Sequence, residues 1–569
     1  MQKKGYLVGM YIPGVYPPGR DDVQVHLLAP AFLKSCADAD PIISKEYDLE
    51  IINVSIKTDL EELAQKMSKG NPHFVAYSVY VWNYVEIAQN VELLKELCPE
   101  ARILMGGPQV SFLRQETMEE NPLVDVVIAG TGERRFLELL KCGFDSPLLS
   151  EMPNIAYRDA GNIILTPGHV SEDVSGIRSP FASGAINLDD GNEHTVMIET
   201  FRGCPMRCAY CQWGSPDGST HRYDLEQVLE DIDRVYSNEK VQYVYLVDAN
   251  LFYTPESHWK PILDKIREVS DRTGREIPTV ASLDMRVLNR QMVRSLSRIQ
   301  LAGNQYQFGM QSITPSALDL ANRECKDGTW ENGMRMIREI DPDSQISLEV
   351  IYGLPGDNHE GFLKTVDFAL GLKPNKFYMF PLLVLPGTPF WDKRDEFEFK
   401  ITQKPEYMVI SNRDYSEEDM QKTFKFATWF QAMQRFPIIQ NALLTSATGT
   451  RRVDVIKTYM SRLQGAMGYD PTDQFDFSLR SANVILREVM DAVHLPENCL
   501  LAYDVTKEIT NGTANTNGIA EDLELGRDYY INRLTSPESV VDTAFSARHG
   551  LGKLREIKCN WFVSSNNIG

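Results

Sequence analysis

The sequence predicts an α/β protein: two blocks of short strands alternating with helices, then a mostly helical tail. Three observations carry this. Apolar runs at Tyr6–Tyr11, Leu49–Val54, Phe74–Val79, Ile103–Met105 and Val124–Ala129 are short and bounded by Gly, Pro or polar residues. Segments with helical period, Leu60–Met67, Tyr84–Leu97 and Arg134–Leu140, lie between them, and such alternation predicts a parallel, doubly wound sheet. The same alternation recurs downstream, with strand patterns at Val196–Thr200, Tyr243–Val247, Thr279–Leu283, Gln305–Gly309, Ser347–Tyr352 and Phe377–Leu383. Helical patterns at Leu225–Tyr236, Trp259–Val269, Gln291–Ile299, Trp330–Ile340 and Gly361–Leu370 separate those runs, and six strand–helix units fit a partial TIM barrel. Beyond residue 400 the patterns are helical.

These patterns divide the chain into block one (1–145), a linker (146–194) with a hairpin around Ile155–Thr166, block two (195–400) and the tail (401–569). In the tail, Ser416 followed by Glu418 and Asp419 marks a helix start. Phe424, Phe426, Trp429 and Phe430 then fall near helical spacing, which predicts core packing. Val453–Leu463 and Ser478–Val493 predict further helices, and Asn511–Gly518 a polar loop.

Composition bounds the function. With 569 residues, 43% hydrophobic and 24% charged, the chain has the make-up of a soluble multidomain protein. A net charge of −21 without a basic stripe argues against nucleic acid as a partner. No apolar run approaches the roughly 18 residues needed to cross a bilayer. Nine cysteines are too sparse for a disulfide scaffold, so a reducing, cytoplasmic setting is expected.

The chemistry concentrates in Phe201-Arg-Gly-Cys204-Pro-Met-Arg-Cys208-Ala-Tyr210-Cys211, directly after the first strand of block two. Three thiolates spaced C-x3-C-x2-C on one loop can hold three irons of a [4Fe–4S] cube and leave the fourth open. A structural zinc site would want a fourth ligand, and the nearest histidine, His221, stands ten residues beyond Cys211. Cys36, Cys98 and Cys142 end apolar helical patterns and fit small core hydrophobes better than a second cluster.

With Tyr210 before its last cysteine, this loop resembles that of the radical S-adenosylmethionine (SAM) enzymes. The resemblance implies that Cys204, Cys208 and Cys211 ligate the cluster and that its open iron chelates SAM. It extends along later strand ends. Asp248-Ala-Asn250 occupies the place where the SAM amino group is bound through backbone oxygens. Ser282 and Asp284 lie where ribose hydroxyls or substrate would bind. Gln311, in Gly309-Met-Gln311-Ser312, and Arg323 resemble the fourth-strand pattern, with Arg323 pairing the SAM carboxylate. Glu349-Val-Ile-Tyr-Gly353 resembles the adenine cradle, and Leu385-Pro-Gly-Thr388 the sixth strand end.

Block one carries its own loops at strand ends: Ile12-Pro-Gly-Val-Tyr-Pro-Pro-Gly19, Ser78-Val-Tyr80-Val-Trp82-Asn83, Gly106-Gly107-Pro-Gln109-Val-Ser111 and Gly130-Thr-Gly132-Glu133. They resemble the Rossmann-like (flavodoxin-like) cobalamin-binding domain of one radical SAM branch. There Ser78, Tyr80, Trp82, Gly106, Gly107, Gln109, Gly130, Gly132 and Glu133 would contact cobalamin. The Asp-x-His-x-x-Gly part of the classical signature is absent. His26 has the wrong spacing from Asp22 and is expected in a helix as a packed or solvated residue.

The resemblance, covering about residues 5–410, implies a class B methyltransferase. Reductive cleavage of SAM would yield a 5′-deoxyadenosyl radical, and methylcobalamin would deliver methyl to a carbon of a small-molecule or peptide substrate. It also implies a low-potential donor of flavodoxin or ferredoxin type. Two other readings stand: a radical rearrangement, cyclisation or ring contraction without methyl transfer, and a cobalamin- or SAM-binding regulator without turnover. The tail would cap the barrel and choose the substrate.

Overall fold

The computed structural model describes residues 2–15, 20, 22–144, 147–168, 173–214, 218–402, 405–434 and 451–493. Part of the first proline-rich loop and the expected Asn511–Gly518 loop lie outside them. The chain divides into two compact units. One comprises residues 1–305, 335–344 and 385–392, the other residues 306–334, 345–384 and 393–569.

In the first unit, β1 (Lys3–Tyr11) and β2 (Gln24–His26) go to different sheets. β1 lies between β3 (Tyr47–Ser55) and β4 (Phe74–Ser78) in a seven-stranded sheet completed by β5 (Arg102–Gly106), β6 (Val126–Ile128), β7 (Ile155–Asp159) and β8 (Asn162–Leu165). The order is β3-β1-β4-β5-β6-β7-β8, parallel as far as β6. Helices cover both faces, so β1 is a nearly continuous apolar run and Leu7, Val8, Val75 and Ile103 are fully buried. The hairpin expected in the linker is β7–β8, and it extends this sheet through antiparallel pairing with β6.

The unit's second sheet starts from β9 (His194–Ile198). A small antiparallel hairpin of β10 (Phe201–Gly203) and β11 (Thr220–Arg222) follows and brackets the cysteine loop. β12 (Val241–Leu246) and β13 (Thr279–Ala281) complete a parallel sheet ordered β13-β12-β9-β2. His26 is therefore a strand residue, not a helical one. It is 6% exposed, and its Nε2 lies 3.0 Å from Nδ1 of the fully buried His194. Three apolar and polar residues too short for a periodicity were decided by an available sheet edge.

The second unit holds β14 (Gln305–Gln311), β15 (Gln345–Tyr352) and β16 (Lys376–Pro381) in one three-stranded sheet. The six expected barrel strands thus form two sheets of described residues rather than one. The helix Glu417–Met433 starts at Ser416, whose side chain accepts from the Asp419 N–H. Phe424, Phe426, Trp429 and Phe430 are all buried, as core packing predicts. Beyond the helix, the Gln434 amide accepts from Phe377 N–H at 2.8 Å and donates to Phe377 O at 2.5 Å, tying this end to β16. The helices expected downstream form as Arg452–Met467 and Leu479–Val493.

Candidate functional site

The cysteine loop leaves β10 through Gly203, whose φ is +98°. A Cβ there would stand 2.3 Å from Ser219 O across the hairpin, so only glycine lets β10 and β11 close. Cys204, Cys208 and Cys211 lie within this bracket, and among the described residues no cysteine forms a disulfide. Cys208 is buried, and burial raises the Cys204 thiol above its ordinary value. The Trp213 N–H donates to Cys211 Sγ at 3.4 Å, a contact that suits a thiolate. Tyr210 is half-buried. Among the described residues no three His, Cys, Asp or Glu side chains converge as ligands of a single ion do. A cube binds each thiolate through a different iron, so three thiols spread along one loop fit that group.

The Leu385–Thr388 turn is fastened to this loop. Gln212 Nε2 donates to Pro386 O at 2.6 Å, and Phe390 N–H to Ala209 O at 3.0 Å. A Cβ on Gly387 would overlap the Phe112 ring at 2.3 Å, so the turn also packs closely on the first sheet's layer.

Past β12, the Asp248 side chain is taken up by the protein itself. Its carboxylate accepts from Thr200 N–H (2.7 Å), Thr200 Oγ1 (2.9 Å) and Phe201 N–H (3.1 Å). It is thus consumed in holding the entry to the cysteine loop, leaving only backbone for a ligand. Burial pushes its pKa up to about 7 against the opposing pull of those donors. Asn250 caps the following turn through Oδ1, while its buried Nδ2 has no partner. A buried amide donor without an acceptor is costly in isolation and fits a ligand carboxylate or carbonyl. Ser282 is half-buried. Asp284 is buried, accepts from Tyr253 OH at 2.6 Å and is clamped by Arg286 at 2.5–3.0 Å. Its charge is neutralised within the protein rather than held open for ribose hydroxyls, because Arg286, two residues on, folds back onto it.

Gln311, Arg323 and Gly353 belong to the second unit. Gln311 has φ +70° and a buried Oε1 without a partner. Arg323 Nη2 donates to Gly309 O at 2.6 Å. Gly353 has φ +87°, and its carbonyl accepts from Asn412 Nδ2 at 2.9 Å.

The first sheet's loops are shaped mainly by backbone. Fully buried Asn83 accepts from Tyr80 N–H at 2.7 Å and donates to Ser78 O and Met10 O. This fixes a loop on which Tyr80 and Trp82 stack with ring centres 4.4 Å apart and Trp82 43% exposed. Val79 N–H donates to Gly106 O at 2.7 Å. Gly107 has φ +114°, and a Cβ there would stand 2.5 Å from Val79 O. Gln109 is buried, with its N–H on Val79 O. Ser111 Oγ donates to Gly107 O at 2.8 Å and accepts from Gly130 N–H at 3.0 Å, linking the two glycine loops. Close-packed glycine backbone beside a stacked aromatic pair whose Trp82 is exposed fits a large, flat ligand such as a macrocycle.

Glu133, expected to face cobalamin, instead ion-pairs with Arg202, and Gly132 simply precedes it at the helix start. Arg202 donates to Glu133 (3.0 and 3.2 Å), to Glu199 (2.8 and 3.2 Å) and to Tyr223 OH (2.8 Å). Burial works against the Arg202 charge, but the two carboxylates outweigh it and hold its pKa well above the ordinary value. Burial likewise disfavours the Glu133 carboxylate, and Arg202 outweighs that, keeping its pKa low. Sequence patterns missed Arg202, Glu199 and Tyr223. The only signal was an arginine two residues before Cys204.

Two family models match: the B12 binding domain over residues 42–140 and the radical SAM superfamily over residues 198–369. The cobalamin-dependent radical SAM methyltransferase TokK of Streptomyces tokunonensis is 24% identical over 436 residues, covering 74% of this chain and 62% of that protein. The 2-(S-pantetheinyl)-carbapenam-3-carboxylate methyltransferase of Streptantibioticus cattleyicolor is 30% identical over 255 residues, 42% of this chain and 36% of the relative. The chain therefore spans under two thirds of these relatives' lengths. The cobalamin-dependent SAM radical enzyme OxsB, with aqua-cobalamin bound, shares the fold at TM-score 0.62 and 14% identity, covering 100% of this chain and 85% of that one. The chain thus matches a B12 binding domain followed by a radical SAM domain, and in both blocks it is similar to cobalamin-dependent radical SAM enzymes.

Proposed function

We propose that the protein is a cobalamin-dependent radical SAM methyltransferase acting on a carbon centre of a small-molecule or peptide substrate. The observation that carries this reading is the pair of loops in one compact unit: three thiols bracketed by β10–β11, and the glycine loops of the first sheet. When bound, the cluster with SAM supplies a strongly reducing route to a carbon radical, and cobalamin supplies a methyl carrier.

The chain's own residues do the rest. Cys204, Cys208 and Cys211 ligate the cluster. Asp248 holds the strand that enters their loop, and Asn250 Nδ2 offers a donor to SAM. Ser78, Tyr80, Trp82, Gly106, Gly107, Gln109, Gly130 and Gly132 shape the cobalamin seat. The electron would come from a low-potential flavodoxin or ferredoxin. No helix of the described residues is long and apolar enough to cross a membrane.

Anaerobic reconstitution with iron, sulfide, hydroxocobalamin, SAM and a low-potential reductant tests the proposal. Expected are brown cluster absorbance, retained cobalamin on gel filtration and, with substrate, both 5′-deoxyadenosine and S-adenosylhomocysteine. 5′-Deoxyadenosine without S-adenosylhomocysteine would replace methyl transfer by rearrangement or ring closure. Neither product and no cluster would leave a binding protein without turnover.

A further inference from the structure

We propose that Arg202 is a positioning residue that locks the Gly130–Glu133 loop of the first sheet to the strand entering the cysteine loop, so that the two loops move as one body. What the loops hold rests on the function proposed above; the lock rests on this chain's side chains alone.

The Arg202 guanidinium reaches Glu133, 69 positions earlier in the sequence, with a two-bonded fork, and makes another to Glu199. Tyr223 OH accepts from Arg202 and donates to Glu199 at 2.7 Å, closing the network. Phe32 and Tyr223 stack with centres 5.6 Å apart, and the guanidinium carbon lies 5.9 Å from each ring. The Glu133 and Glu199 side chains are only 7% and 16% exposed, so solvent screens little of the attraction. Glu133 also opens the helix Glu133–Cys142, where a negative charge is favoured.

One cation therefore serves two carboxylates from two different layers. Without it, both acids would be left shielded and uncompensated, and would drive the loops apart. Lysine, a point charge, cannot make two forks at once. A surface ion pair would be worth little, but here both acids are buried or nearly so and the guanidinium is flanked by two aromatic rings. Its consequence is that the first sheet's glycine loop inherits its position from the cysteine strand.

The experiment uses the full chain as wild type, R202Q, R202K, E133Q and R202Q/E133Q. Hydrogen–deuterium exchange across residues 130–133 is expected to rise about tenfold in R202Q, with exchange across 106–111 unchanged, and hydroxocobalamin affinity to fall about tenfold. Iron per chain after reconstitution stays at the wild-type level. R202K should recover part of both losses, and the double variant should match R202Q because both substitutions remove one interaction. Unchanged loop exchange in R202Q, or additive losses in the double variant, would overturn the lock. If R202Q fails to fold, Tyr223→Phe removes one hydroxyl only and should still loosen 130–133, and an unchanged loop there overturns the proposal equally. Wild-type protein that ignores hydroxocobalamin would defeat the proposed function instead, and the exchange measurement would still decide the lock.

Discussion

The two sheets of the first unit build their loops by opposite means. At the ends of β4, β5 and β6 the work is done by glycine backbone, Asn83, Ser111 and a stacked Tyr80–Trp82 pair, with hardly a charge turned outward. At the ends of β9, β12 and β13 it is done by buried charge: Asp248 on the Thr200–Phe201 backbone, Asp284 under Arg286, and Arg202 between Glu133 and Glu199. The difference follows from what each could hold. A broad uncharged surface is matched by shape, which needs main chain brought close. A small charged ligand and a cluster are matched by field and donor direction, which need rigid ionic scaffolding.

Breaking each side should give different signatures. The largest effect belongs to the thiols. Replacing Cys204, Cys208 and Cys211 together by Ala should abolish cluster absorbance and 5′-deoxyadenosine while hydroxocobalamin stays bound; persistent 5′-deoxyadenosine would refute the assigned ligands. Next comes Gly107→Ala, which forces a Cβ to 2.5 Å from Val79 O at φ +114°. It should cost about 3 kcal/mol in urea unfolding and weaken cobalamin retention while iron content is kept.

A pH effect sharpens the contrast at the sheet edge shared by β2 and β9. His26 faces His194, and Asp190 lies 3.3 Å from the far side of that ring. Burial first, then the neighbouring His194, lowers the His26 pKa to about 4. The unfolded chain therefore takes up a proton near pH 6.5 that the folded chain refuses until about pH 4. Stability should rise with pH across that window and fall as pH drops through it, by on the order of 3 kcal/mol. Urea midpoints of the metal-free chain measured from pH 7.5 to 4.5 should show this slope, and His26→Asn should flatten it; an equal slope in the variant would assign the proton elsewhere. The smallest effect is Tyr253→Phe, which removes one hydrogen bond from Asp284 but leaves Arg286 in place. A loss of about 1 kcal/mol in thermal unfolding is expected, with cobalamin retention untouched.

Strand and helix positions were largely legible in the sequence, because period and punctuation follow burial. The expected Tyr84–Leu97 helix forms over those same residues, and the five strands of block one are found within two or three residues of their expected bounds. Where local pattern was thin, it failed. β2 carries three residues and could not announce a strand; its partner β9 comes 168 residues later. The linker hairpin was visible as a hairpin, but nothing local says that it extends the first sheet. At the site, residue types were legible and their orientations were not. Asp284 and Glu133 were expected to face ligands, and both carboxylates are spent on protein partners, as is that of Asp248, whose segment was expected to serve through backbone oxygens.

The sequence alone determined the α/β alternation, the cysteine loop and its ligand chemistry, and the glycine loops, since each depends on residues within a dozen positions. Tertiary structure alone decided that Arg202 stands between two acids from two sheets and that β2 deserts its own block. It also decided that Gly107 must be glycine because Val79 passes beside it. Charge pairing and close approach are distances in space, and only folding brings residues 133 and 202, or 26 and 194, within reach of each other.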